Sequence, residues 1–238
     1  HLDDISLTAD QWRHIIIKHP LTICCIARLA EQGNPELLEA LAPHLDDISL
    51  TADQWRDIII SAPLTICSIA MAAANGKPQL LLALAPHLND ISLTADQWCH
   101  IITTASGTIA AIAYSAAKGY PQLFEALTAH PNDISLTADQ WRHIIITEPR
   151  TISSIINVAA KGHPELLVAL APHLNDINLT ADQWRHIIIA APATIGSISY
   201  AAVKGCPQLL EAFVSHLNDI SLTADQWRHI IIKAPNTI

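Results

Sequence analysis

Aromatic side chains are scarce in this chain, at 5% of residues, although half of its residues are hydrophobic. A core with so few rings must be built from Ile, Leu and Ala, which suits closely packed helices and disfavours a β-sandwich. Cations are scarce too: 13 Lys and Arg stand against 22 Asp and Glu, a formal charge of −9. Binding a polyanion requires surplus cations to neutralise phosphates, so this balance disfavours nucleic acid as a partner. Thirteen histidines would shift the balance in mild acid, since an unperturbed imidazole titrates near pH ~6.5. No apolar run approaches the ~18 residues needed to cross a bilayer, and no signal peptide opens the chain. A soluble protein with no membrane partner is expected.

Paired cysteines are also missing. Cys24, Cys25, Cys67, Cys99 and Cys206 have no common spacing, which points away from a disulfide framework and toward thiols in a reducing, cytoplasmic compartment. There is no phosphate-cradling glycine loop, no Gly-x-Ser-x-Gly, no His-Glu-x-x-His and no Cys-x-x-Cys. The chain therefore reads as a non-enzyme, with no cofactor and no metal implied.

What the sequence does contain is a period. Trp12, Trp55, Trp98, Trp141, Trp184 and Trp227 stand 43 residues apart, which divides the chain into units 7–49, 50–92, 93–135, 136–178 and 179–221 and a partial sixth, 222–238. Tandem copies bury their core between neighbours, so residues 1–238 are read as one array of about five and a half units. The array begins inside a link and ends at the start of a sixth second helix, which predicts a fragment of a longer array.

Each unit carries its own helix punctuation. In the first, Thr8 and Gln11 form a capping box, with Leu7 and Trp12 at the two positions of a hydrophobic staple. The same start recurs at Thr51, Thr94, Thr137, Thr180 and Thr223. Helix A runs to about Lys18, and Trp12, Ile15, Ile16 and Ile17 give it more apolar surface than one face can hold, so it should lie between neighbours. Pro20 opens helix B, whose Ile23, Ile26 and Ala30 follow at helical spacing up to Gly33. Pro35 opens helix C, with Leu37, Leu38 and Leu41, and Pro43 and the His44–Ser49 link should disrupt it. The expectation is an all-α solenoid, curving to the right or the left, of three-helix repeats.

Three family resemblances bear on this. Gly162-His163-Pro164-Glu165-Leu166-Leu167 through Asp176-Ile177-Asn178, preceded by Ala159-Ala160, resembles the ankyrin repeat over about half of each unit. The ankyrin Thr-Pro-Leu-His tetrapeptide is missing, however, and the capped Trp helix stands where the ankyrin β-hairpin would be. Three helices in 43 residues are similar to the armadillo and HEAT layout. Leu7-Thr8-Ala9-Asp10-Gln11 and the Leu-x-Pro-x-Leu from Leu41 to Leu45 also resemble pieces of transcription-activator-like effector repeats, without the Gly-Gly-Lys-Gln loop of that family. The first two resemblances imply protein binding, and the last implies sequence-reading of nucleic acid. Near-identical arrays of this kind resemble those of bacterial effector and symbiont proteins that are delivered into a host cell and act on host proteins.

Because the copies are nearly identical, the positions that differ stand out. On helix B the first row is Leu21, Leu64, Gly107, Arg150 and Ala193. Three residues on comes Cys24, Cys67, Ala110, Ser153 and Gly196, and four beyond that comes Arg28, Met71, Tyr114, Asn157 and Tyr200. The spacing i, i+3, i+7 places the rows on one side of the helix. An unlike face beside a constant core is what modular recognition of a protein or peptide requires, and drift on an exposed face is the plainer account.

The constant polar residues read as structural. His44 and Asp47 and their equivalents recur as His-x-x-Asp, and a catalytic or metal pair is not expected in every copy, so they should satisfy backbone groups in the link. Arg13, Arg56, Arg142, Arg185 and Arg228 each follow an Asp by three residues, which predicts exposed intrahelical ion pairs. Lys118, Lys161 and Lys204 stand just before the helix B glycine, where a phosphate contact is the functional alternative. Asn178-Leu179-Thr180 matches a glycosylation acceptor by chance.

Overall fold

The computed structural model describes residues 7–129, 136–204 and 207–234, and every regular element among them is helical. The chain divides into two compact units, His1–Ile134 and Ser135–Ile238. Unit 1 runs through α1 (Ala9–Lys18), α2 (Leu21–Glu31), α3 (Glu36–Leu41) and α4 (Leu45–Ile48). The same four follow in order as α5 (Ala52–Ser61), α6 (Leu64–Ala74), α7 (Gln79–Leu84) and α8 (Leu88–Ile91), and then α9 (Ala95–Thr104), α10 (Thr108–Ala117) and α11 (Gln122–Thr128). Unit 2 holds α12 (Ala138–Thr147), α13 (Thr151–Ala159), α14 (Glu165–Leu170), α15 (Leu174–Ile177), α16 (Ala181–Ala190), α17 (Thr194–Val203), α18 (Gln208–Val214) and α19 (Ala224–Lys233).

Each A helix starts because its first amides are satisfied locally. Thr8, Thr51, Thr94, Thr137, Thr180 and Thr223 all form the complete capping box with the Gln three residues on. Behind the cap, Trp55, Trp98, Trp141 and Trp184 are buried along with the Ile pair that follows each. Trp184 also meets Phe213 of α18 edge to face, with centroids 5.4 Å apart. Trp227 on α19 has no C helix after it among the described residues and is 41% exposed.

α1, α5, α12 and α16 end at a proline corner, whereas α9 is followed by Ser106; α5 meets α6 at 103° and α16 meets α17 at 104°. The B helices then stop at glycines. Gly33, Gly76, Gly119 and Gly162 have φ between 84° and 103°, a region closed to most side chains. At the end of α2 the Asn34 amide donates to the Leu29 carbonyl at 2.9 Å and the Gly33 amide to Ala30 at 3.3 Å, which closes a Schellman motif. Within unit 1, α2 packs against α6 and α6 against α10; within unit 2, α13 packs against α17.

The expectation that helix C simply breaks at Pro43 is corrected by the structure. Ala42–His44, Ala85–His87 and Ala171–His173 form 3-10 turns that pass directly into α4, α8 and α15. Proline sits in the first turn of each, where its missing N–H has no partner to lose. Those units therefore carry four helical segments. Each short helix ends in a left-handed residue, Ser49, Ser92 or Asn178, with φ of 44° to 46°.

Among the described residues no single helix is long and apolar enough to cross a membrane.

Candidate functional site

The B helices carry the three variable rows, and the structure separates them. In the first row Leu21, Leu64, Arg150 and Ala193 are exposed and Gly107 is half-buried. In the third, Arg28, Asn157 and Tyr200 are exposed and Met71 and Tyr114 are half-buried. The middle row lies elsewhere. Cys24, Ala110 and Ser153 are at most 7% exposed, while Cys67 and Gly196 are half-buried.

Helix geometry explains the split. Each residue turns the helix by about 100°, so i and i+7 lie within about 20° of each other while i+3 is rotated by about 60°. That rotation carries the middle row into the packing between B helices, and Cys24 on α2 reaches Ser68 on α6 with Sγ and Oγ 3.5 Å apart. The small size of Cys24, Ala110 and Ser153 is thus set by the approach of helices, and for these three the reading as a ligand surface is replaced by an interhelical one; Cys67 and Gly196 stay half-exposed.

The outer rows have their own local chemistry. Lys118 stands over the Tyr114 ring at 5.4 Å and Lys204 over Tyr200 at 5.6 Å, each one helical turn on. Lys161 follows Asn157 at the same spacing, and it is exposed, as are Lys118 and Lys204. Arg28 and Glu31 are the charged residues within the B helices; Arg150 immediately precedes α13, and Lys118, Lys161 and Lys204 follow the ends of α10, α13 and α17. The acids of the chain are concentrated on the A and C helices and the links.

The chain matches no family model, no curated protein and no solved structure. What each surface can do follows from its residues alone.

The constant polar residues have partners that the sequence did not reveal. Arg56 pairs with Asp53 at 2.6 Å, Arg142 with Asp139 at 2.8 Å, and Arg185 and Arg228 with Asp182 and Asp225 at 2.5 Å. Arg56 also donates through Nε to the Ile91 carbonyl at 2.6 Å and through Nη2 to the Asp90 backbone carbonyl at 3.3 Å, which caps the end of α8. Arg142 does the same for α15 through the carbonyls of Ile177 and Asp176. Arg13 donates to Gln54 on α5. At the ends of α8 and α15 the link carbonyls are therefore held by arginine, and at the end of α4 the Ser49 hydroxyl donates to the Asp46 carbonyl; the side chains of His44, His87, His173, Asp47, Asp90 and Asp176 make no hydrogen bond among the described residues. His1, His130, Asp4 and Asp133 lie outside the described residues.

Among the described residues no three His, Cys, Asp or Glu side chains gather as a metal site. Cys99 stands where the other copies have Arg, and burial, then the Asp96 carboxylate, push its thiol pKa up.

Three clefts recur where a short helix meets the following Trp. They are lined by Leu45, Ile48 and Trp55 at about 350 Å³, by Leu88, Ile91 and Trp98 at about 70 Å³, and by Leu174, Ile177 and Trp184 at about 130 Å³. A fivefold spread in volume argues against one shared ligand, and the clefts are read as packing gaps of unequal size.

Sequence comparison missed one further variable position. On the C helices Glu39, Leu82, Glu125, Val168 and Glu211 occupy the same place in successive units, and all are exposed. Their alternation of acid and aliphatic is visible in the copies, on the side of helix C away from the buried Leu38 and Leu41.

Proposed function

We propose that the chain is a modular binding scaffold, an α-solenoid of 43-residue units whose B helices recognise a protein or an extended peptide. The contact residues are the outer rows: Leu21, Leu64, Gly107, Arg150 and Ala193, and Arg28, Met71, Tyr114, Asn157 and Tyr200. The observation that carries this reading is the contrast on a single helix between unlike outer residues and an unchanging buried stripe. Ile23, Ile66, Ile109 and Ile152 are each no more than 1% exposed, while the residue five places on from each changes from Arg to Met to Tyr to Asn.

Exposed Leu, Tyr and Arg are also the side chains that anchor interfaces. Drift on a solvated face would enrich Lys and Glu, and neither occurs at any of the ten outer-row positions. The buried members of the middle row, Cys24, Ala110 and Ser153, set the spacing of the ribs in this reading and do not touch the partner, while the half-buried Cys67 and Gly196 lie at the edge of the contact surface.

Selection of peptides from a random displayed library against the immobilised protein tests the proposal. Selected peptides should slow amide exchange along α2, α6, α10, α13 and α17. Slowing confined to the A helices or the links would overturn it.

A further inference from the structure

We infer that the variable residues of the C helices tell one repeat from another: each is matched to the residue after the B-helix glycine of the next repeat, and the matched pairs fix the order in which near-identical repeats stack. This goes beyond the scaffold reading above and does not depend on what the B helices bind.

Two rows of the sequence carry it. The first is the C-helix row, Glu39, Leu82, Glu125, Val168 and Glu211; the second is the residue after each glycine, Asn34, Lys77, Tyr120, His163 and Cys206. One pair is in contact in the structure. Lys77 Nζ lies 3.4 Å from Glu39 Oε1, which belongs to the repeat before it.

The backbone sets the next pair at the same stations. The Lys77 amide donates to the Ala72 carbonyl at 2.9 Å and the Tyr120 amide to that of Ser115 at 3.1 Å, while the Glu39 and Leu82 amides donate to Pro35 and Pro78, each at 2.8 Å. Leu82 and Tyr120, within the same compact unit, therefore stand one repeat on from Glu39 and Lys77. Asn34 has no C helix before it among the described residues and is exposed, whereas Lys77 and Tyr120, which follow one, are half-buried.

The chemistry of the two rows changes in step. Glu39 goes with Lys77 and Leu82 with Tyr120, and the sequence continues with Glu125 and His163, then Val168 and Cys206. An acid is matched each time to a basic side chain and an aliphatic to a ring or a thiol. Because the alternation has a period of two, a stack that skipped one repeat would set the Glu39 carboxylate against Tyr120, away from any matched cation. The buried residues supply no such distinction, since Ile23, Ile66 and Ile109 are the same in successive repeats. Misassembly is the characteristic failure of repeat proteins, and an exposed ion pair adds little to stability, so the worth of the pairs lies in the difference between right and wrong neighbours.

Refolding of the full chain from urea tests this. The variants are Glu39→Leu, Lys77→Tyr, the double Glu39→Leu/Lys77→Tyr, and the charge exchange Glu39→Lys/Lys77→Glu. Two quantities are read: the urea unfolding curve, and the fraction of chain that returns after rapid refolding to the elution volume of protein never unfolded.

The double Leu/Tyr variant should be at least about threefold more stable, in its unfolding constant, than the product of the two single effects. Its refolded fraction should nevertheless fall to half of the parent's or less, because the new leucine matches Tyr120 as well as its own neighbour. The charge exchange, which stays matched and distinct, should keep both the parent's midpoint and its recovery. Single effects that simply multiply would overturn the pairing. A Leu/Tyr double that refolds as fully as the parent, or a charge exchange that refolds as poorly as that double, would overturn the ordering role.

Discussion

The guanidinium of Arg56 holds the carbonyl of Ile91, 35 residues further along the chain, at 2.6 Å. The helix it caps, α8, ends in a left-handed Ser92 at φ 46° without the glycine that usually closes a helix, so its last carbonyls depend on a donor from elsewhere. Arg56→Ala should lower stability by about 1–3 kcal/mol, because a partly buried acceptor loses a charged donor. Asp53→Asn removes only an ion pair whose carboxylate is 82% exposed, and should change stability by less than about 0.5 kcal/mol. Urea unfolding midpoints measure both, and equal losses would show that the exposed pair, not the cap, is what Arg56 supplies.

The left-handed positions give a paired prediction. Gly119 has φ 100°, and a Cβ there would meet nothing within 4 Å, so any cost of Gly119→Ala comes from the backbone alone. That cost should be about 1–2 kcal/mol. Ser92 occupies a left-handed φ as a non-glycine, where Asn is better tolerated, and unit 2 already has Asn178 at the equivalent place. Ser92→Asn should raise stability by a few tenths of a kcal/mol, roughly the size expected for relieving a single strained residue. Thermal melts of the two variants should shift in opposite directions.

Buried threonines at the start of the B helices separate two cases. Thr151 Oγ1 donates to the Glu148 carbonyl at 2.7 Å, while the equally buried Thr108 Oγ1 has no hydrogen-bond partner. Removing a satisfied hydroxyl should cost about 1 kcal/mol, and removing an unsatisfied one of the same shape should be neutral or stabilising. Thr151→Val is therefore expected to lower the urea midpoint and Thr108→Val to hold or raise it. A loss at Thr108 equal to that at Thr151 would mean that both hydroxyls are satisfied in solution.

Cys99 should be a sluggish thiol. Burial and Asp96 raise its pKa, so less thiolate is present at mildly alkaline pH, and alkylation should be slower than at the exposed Cys25. The sign is testable, since Asp96→Asn removes a negative neighbour, lowers the pKa and should speed Cys99 labelling by iodoacetamide. An unchanged rate would leave burial as the whole cause.

Features fixed by neighbours in sequence were legible before any coordinates. Thr51 and Gln54 cap each other across three residues, and Gly76 ends α6 by its own φ, so both could be read from one unit. Features fixed by distant neighbours were not. Arg56 was legible as the partner of Asp53, three residues away, and it does pair with it, while its carbonyl partners are a whole helix set distant and have no side-chain identity to read. Cys24 looked exposed because helical spacing gives the side of a helix but not where the next helix lies; Ser68 supplied that information. Pro43 looked like a break because proline ends a helix from within, whereas here it opens a 3-10 turn.

The central claim is that the outer residues of the B helices choose the partner. It is tested most directly by affinity capture with the chain and with a variant carrying Arg28→Ala, Met71→Ala, Tyr114→Ala and Tyr200→Ala, followed by titration of one captured protein against both. The account predicts an unchanged melting temperature within a few degrees and a loss of at least tenfold in affinity. The same partner, bound at the same strength by the variant, would contradict it.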